Sequence, residues 1–171
     1  MSALVSSTEV VQAIKDAAIA NYRDLIDAVL TASPFVATPV DSGRKAALSQ
    51  IWSHWSPRGD WFFVIHEHNV WPSSNLPELP NLLRSARGLS PIGDQQCERG
   101  DQTEVDYLRS LIFCGLSFYW TFLVVWPESH LVFYGHHDEI VGAWSKDIVE
   151  LNRAIEDTQP YARPERSDSH E

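Results

Sequence analysis

From Leu111 to Trp126 the chain runs for 16 residues without a charge. Within it, Ser117–Trp126 is dense in Phe, Tyr, Trp, Thr and Val, side chains that suit a pleated surface. Alternation puts Phe118, Trp120, Phe122, Val124 and Trp126 on one face and Tyr119, Thr121, Leu123 and Val125 on the other. Both faces are apolar, which predicts a central strand covered on both sides. A membrane span is the rival reading, but the run is shorter than the roughly 20 residues a bilayer needs. Ser117 and Thr121 interrupt it and Pro127-Glu128 follows it.

The downstream residues extend the pattern. Pro127-Glu128-Ser129 reads as a turn, because Pro127 has no amide for a ladder. His130–Gly135 reads as a second strand, His136–Glu139 as a hairpin loop and Ile140–Trp144 as a third strand. Short connections between strands imply antiparallel neighbours. Upstream, Trp61–His68 reads as a further strand. Trp61, Phe63, Ile65 and Glu67 share one face, and Phe62, Val64, His66 and His68 the other.

Helical spacing occupies the intervals. Ser6–Ala32 is a long N-terminal amphipathic helix, with Ser6 and Glu9 at capping-box spacing and Ser33-Pro34 as its end. Gly43–Trp55 follows, capped by Asp41 or Ser42, with Ala47, Leu48, Ile51, Trp52 and Trp55 inward. Pro80–Arg87 is a short helix stopped by Gly88. Leu89–Gln102 is polar and reads as a surface loop. Thr103–Cys114 is helical, with Gly115 as its stop. Lys146–Asp157, capped by Ser145, turns Ile148, Leu151 and Ile155 inward. The fold class is therefore α+β: a single domain over residues 1–159, with a largely antiparallel sheet of about four or five strands flanked by helices. Residues 160–171 read as a disordered tail.

Charge narrows the function classes. With 13 basic against 23 acidic residues the net charge is −10. This disfavours nucleic acid, which wants clustered Lys and Arg, and suits a basic protein partner. The two cysteines, Cys97 and Cys114, set no disulfide framework: Cys114 lies in an apolar run, and Cys97 in the polar loop, open to solvent. The start carries no charged-then-apolar leader, so the expected setting is reducing and cytoplasmic, with no membrane partner.

Two kinds of site residue stand out. His66-Glu67-His68 would send both imidazoles to one side of a strand, where they could share an ion, zinc being the alternative to no cofactor at all. His136, His137 or Asp138 would complete that site if the hairpin loop lies near the end of the first strand. Glu67 points to the opposite face, which makes it a poor general base there. The second kind is a surface of acids with aromatic anchors. Trp55 and Trp71 adjoin Pro-containing loops and are the anchor candidates. Asp94, Glu98, Asp101, Glu104 and Asp106 form one acidic patch, and Asp138 and Glu139 another. No nucleophile elbow and no phosphate-cradling Gly-rich loop is present, so no catalytic residue is assigned.

In general character the chain resembles bacterial toxin-immunity proteins: small, acidic, single-domain and rich in Trp, of which it has seven. The resemblance rests on composition and element order rather than on a motif. It implies a non-catalytic binding protein that neutralises a basic toxin through an acidic face. The alternatives are a metal-dependent hydrolase on His66 and His68 with His136 or His137, and a structural subunit of a larger assembly.

Overall fold

The computed structural model describes residues 3–4, 41–55, 59–67, 78–89 and 97–162. The expected N-terminal helix, Ser6–Ala32, lies outside them. Among the described residues, four helices and six strands follow in the order β1 (Ala3–Leu4), α1 (Ser42–Ser53), β2 (Trp61–Glu67), α2 (Glu78–Ser85), β3 (Cys97–Gly100), α3 (Val105–Ser117), β4 (Thr121–Trp126), β5 (Leu131–Gly135), β6 (Val141–Ser145) and α4 (Ile148–Thr158). The strands form one antiparallel sheet in the order β1-β3-β2-β4-β5-β6. This is the expected α+β class, with β4-β5-β6 as the expected meander.

Every residue of β4 is buried, so the run that anchors the sequence is a central strand. Its register aligns Val124 with Phe63 of β2 and with Phe133 of β5. That face meets Leu48 and Trp52 of α1, Leu108, Leu111 and Ile112 of α3, and Ala154 of α4 in one apolar cluster. On the opposite face Leu123, Val125, Val132 and Tyr134 are also fully buried. Trp52 stacks on Phe133 with ring centroids 4.6 Å apart. Each buried indole also needs a partner for its N–H. Trp61 donates to the Asp101 carbonyl at 2.8 Å, Trp126 to the Trp52 carbonyl at 3.3 Å and Trp52 to the Thr158 hydroxyl at 3.2 Å.

Beyond shifts of one or two residues at element ends, those of α1 and α2 among them, four boundaries differ from the sequence expectation. The segment 97–100 is strand β3, not loop. Its inward residues are Glu98, opposite Phe63, and Gly100, opposite Trp61, so no apolar alternation marks it. Helix α3 runs through Gly115 to Ser117. Gly115 does not stop the helix; it makes room for the Phe122 ring, and an added Cβ would sit 2.6 Å from that ring. The reversal into β4 is made instead by Tyr119, at φ 55°. In α4 the cap is Asp147, whose carboxylate accepts from Val149 N at 2.8 Å. Leu151 and Ala154 turn inward, while Ile148 is 63% exposed. Finally, Ala162 is buried, so the packed region reaches past residue 159; residues 163–171 lie outside those described.

The Gly115→Ala variant sets two effects in opposition. Ala favours the helix by about 1 kcal/mol over Gly, and the clash with a rigid ring costs about 1–3 kcal/mol. The ring is held from other sides, by Phe63 at 5.2 Å and by Gly135, where a Cβ would also collide with it. The clash should win, and urea denaturation should show net destabilisation of up to about 2 kcal/mol.

Candidate functional site

The fold takes two of the proposed acids, Glu98 and Glu104, out of the surface. Glu98 is buried and pairs with buried Arg84 at 2.9 Å, while accepting the Tyr107 hydroxyl at 2.9 Å. Glu104 is buried against Arg87, whose guanidinium also lies 4.3 Å over the Tyr107 ring. These two carboxylates hold α2 onto β3 and α3; they are interior, because a charge is tolerated there only when paired. Trp55 is likewise interior, at 3% exposure. Its ring meets Phe133 edge-on at 5.2 Å, its N–H donates to Glu150 at 3.1 Å, and Arg153 covers it at 4.6 Å. It fastens α4 to the core and is not a surface anchor. Asp101 keeps a local role: hydrogen bonds from the Thr103 hydroxyl and amide hold its carboxyl below the usual range. Asp106 is exposed and paired with Arg109 at 2.9 Å. Trp71 and Asp94 lie outside the described residues.

Among the described residues the exposed large apolar side chains are aliphatic: Leu82, Ile148 and Val149. Ile148 and Val149, 63% and 69% exposed, open α4 side by side. Asp147 precedes them and Glu150 follows, with Glu156 and Asp157 also at the surface further along the helix. The pattern is an apolar pair in a charged surround in which four acids outnumber Lys146 and Arg153. The hydrophobic repeat had placed Ile148 inside, so this pair was not legible as surface.

The second constellation lies at the far end of β6, in the turn His136–Ile140. His136 and His137 are half-buried with rings stacked at 4.0 Å. Asp138 is exposed and sits between them, 3.4 Å from His136 Nδ1 and 3.6 Å from His137 Nε2. One donor atom from each of the three lies within 4.8 Å of the others. The Thr121 hydroxyl is 2.8 Å from His137 Nδ1, and Asp138 N donates to His136 Nδ1 at 3.1 Å.

The neighbouring residues fix this turn. Glu139 adopts φ 64° and hydrogen-bonds the hydroxyl of Tyr119, itself at φ 55°. The Lys45 ammonium sits 4.6 Å over the Tyr119 ring. Burial pushes the Lys45 pKa down, against the opposing pull of Glu139, and burial first and Glu139 second push Tyr119 up. None of Lys45, Tyr119 and Thr121 was signalled by sequence spacing, because they come from α1 and the two ends of the α3–β4 reversal.

The register places the two histidine-bearing segments on either side of β4. Glu67 pairs with Thr121 across a bulge at the end of β2, and Thr121 contacts His137. The end of β2 and the histidine turn therefore flank the same residue of β4. The side chain of His66, and all of His68, lie outside the described residues.

A groove of about 430 Å³ between α1, α2 and α3 is lined by Ala46, Leu79, Leu83, Phe113 and Cys114, with Arg109 among its polar residues. Arg109 is engaged by Gln50 at 2.7 Å and by Asp106. Burial pushes the Cys114 thiol up to about 11, which suits a packing residue rather than a nucleophile. Cys97, expected at the surface, is buried as well, since β3 carries it into the sheet.

Among the described residues no helix is long and apolar enough to cross a membrane. No family model matches the chain, and no curated protein or solved structure is found similar to it.

Two measurements follow from these environments. Glu98→Ala leaves Arg84 buried without its carboxylate and should cost about 3–5 kcal/mol in urea denaturation, whereas Arg84→Met with Glu98→Leu should recover most of that loss. Cys114 should react with a disulfide reagent at pH 8 about 100-fold more slowly than in urea, from its thiolate fraction alone.

Proposed function

We propose that the chain is a non-catalytic binding protein whose acidic surface engages a basic protein partner. The observation that carries this reading is the adjacent exposed pair Ile148 and Val149 on an acid-flanked helix start. Apolar groups inside a charged rim are the usual anatomy of a protein interface. Charge bookkeeping supports the same reading. Arg84 and Glu98 cancel one another in the interior, and buried Glu104 is offset by exposed Arg87, so the net −10 is carried by other groups. Such a surface accelerates encounter with a basic protein. Toxin neutralisation is the form of this function that the resemblance to immunity proteins implies, and two buried thiols suit a cytoplasmic setting.

A metal-dependent hydrolase is the second reading, favoured by the contact of the histidine turn with Thr121, the β4 residue that pairs with the end of β2.

The test is affinity capture from the native host with the wild-type chain and an Ile148→Ser/Val149→Ser variant. Both side chains are exposed, so the variant should keep its melting temperature. The wild type should retain a basic protein that the variant loses. Calorimetry on the purified pair should show one-to-one binding that weakens about tenfold or more between low and physiological salt. The same partners on both baits, or binding indifferent to salt, would overturn the reading.

A further inference from the structure

The geometry points to a divalent transition-metal site, of the zinc class, formed by His136, His137 and Asp138. Two donors that bind one ion at about 2.0–2.1 Å with tetrahedral angles lie about 3.3 Å apart. The Asp138 carboxylate oxygens stand 3.4 Å from His136 Nδ1 and 3.6 Å from His137 Nε2. The three donors lie within 4.8 Å of one another; the His137 spacing fits ligation with little adjustment, and at His136 Nδ1 an ion would take the place of the hydrogen bond from Asp138 N. Imidazole nitrogen with carboxylate oxygen is a donor set suited to zinc and its first-row neighbours rather than to calcium or magnesium.

Thr121 supplies the support a metal-ligating histidine normally has. With the Thr121 hydroxyl accepting from His137 Nδ1–H, Nε2, the nitrogen nearer Asp138, is left to face an ion. The turn is held by Glu139 on Tyr119, with Lys45 over that ring, so the three donors are positioned by packing before an ion arrives. Three protein ligands leave a coordination position open, and Asp138 is at the surface, so that position is reachable from solvent. The inference is separate from the α4 surface, which lies beyond the opposite end of β6; loss of one leaves the other standing.

The experiment is zinc titration by calorimetry, with elemental analysis of protein purified without a His tag or chelator. About one zinc per chain is expected, with micromolar or tighter affinity. His136→Ala, His137→Ala and Asp138→Asn should each weaken binding tenfold or more, while His130→Ala, in a different turn, should not. Circular dichroism confirms that each variant is folded. Thr121→Val should weaken zinc about tenfold and Thr121→Ser restore it, a rescue that general damage to β4 would not give. No zinc binding at 100-fold molar excess, or binding that survives all three ligand variants, would overturn the site.

Discussion

The ring of Phe122 is the contact on which the rest of the packing depends. It sits over two glycines, Gly115 on α3 and Gly135 on β5, at positions where a Cβ would collide with it. Phe63 of β2 stacks against it at 5.2 Å, and Trp52 of α1 approaches at 6.5 Å. One side chain therefore gauges the distance between helix layer and sheet for α1, α3 and three strands. Close packing makes such a position intolerant of added volume. Gly115 serves the ring from within α3 and does not end it, while Gly135 serves it from the last position of β5. The chain therefore reverses later than Gly115, at Tyr119.

The interior ion pairs play a different part. Burying Arg84 and Glu98 is costly even when they meet at 2.9 Å, and apolar replacements of similar volume are often as stable. Their effect is on register. Glu98 faces the core from β3, and only the position of α2 that presents Arg84 neutralises it. Tyr107 adds a hydrogen bond from α3. Its hydroxyl is driven to hold its proton, first by burial and then by the Glu98 charge. A short strand with one inward carboxylate is thus tied to one partner helix, where an apolar residue would accept several.

These two constraints explain what the sequence disclosed and what it withheld. The β4-β5-β6 meander was legible because alternation and turn residues are local signals. Helix α1 was legible from Asp41 and the Leu48–Trp52 spacing. Strand β3 was not, because its inward charge is matched by Arg84 from a different element, and no local window contains both. Reading Glu98, Glu104 and Trp55 as surface failed for the same reason: polarity predicts exposure only when no distant partner neutralises it. The histidine turn was the reverse case. Its composition was visible, and the hairpin around it was expected, but the convergence of its donors depends on the backbone of the turn and on Thr121.

That backbone is itself strained. Tyr119 and Glu139 both occupy left-handed conformations, at φ 55° and 64°, and a bulky aromatic residue is rarely found there. Such conformations cost of order 1–3 kcal/mol each and persist only where surrounding contacts over-determine them. Here the contacts are mutual: the Tyr119 hydroxyl holds Glu139, and the Lys45 ammonium rests on the Tyr119 ring. The strain is therefore offset within the folded state, before anything binds. An unconstrained His-His-Asp tripeptide would have to be ordered by the ion itself, and that ordering would be subtracted from its affinity. In this chain the ordering is done by Phe122, which sets where α3 ends, by Tyr119, which turns the chain, and by Glu139, which links the turn to it. The same packing that makes the core unforgiving thus makes the exposed histidine turn a preorganised one.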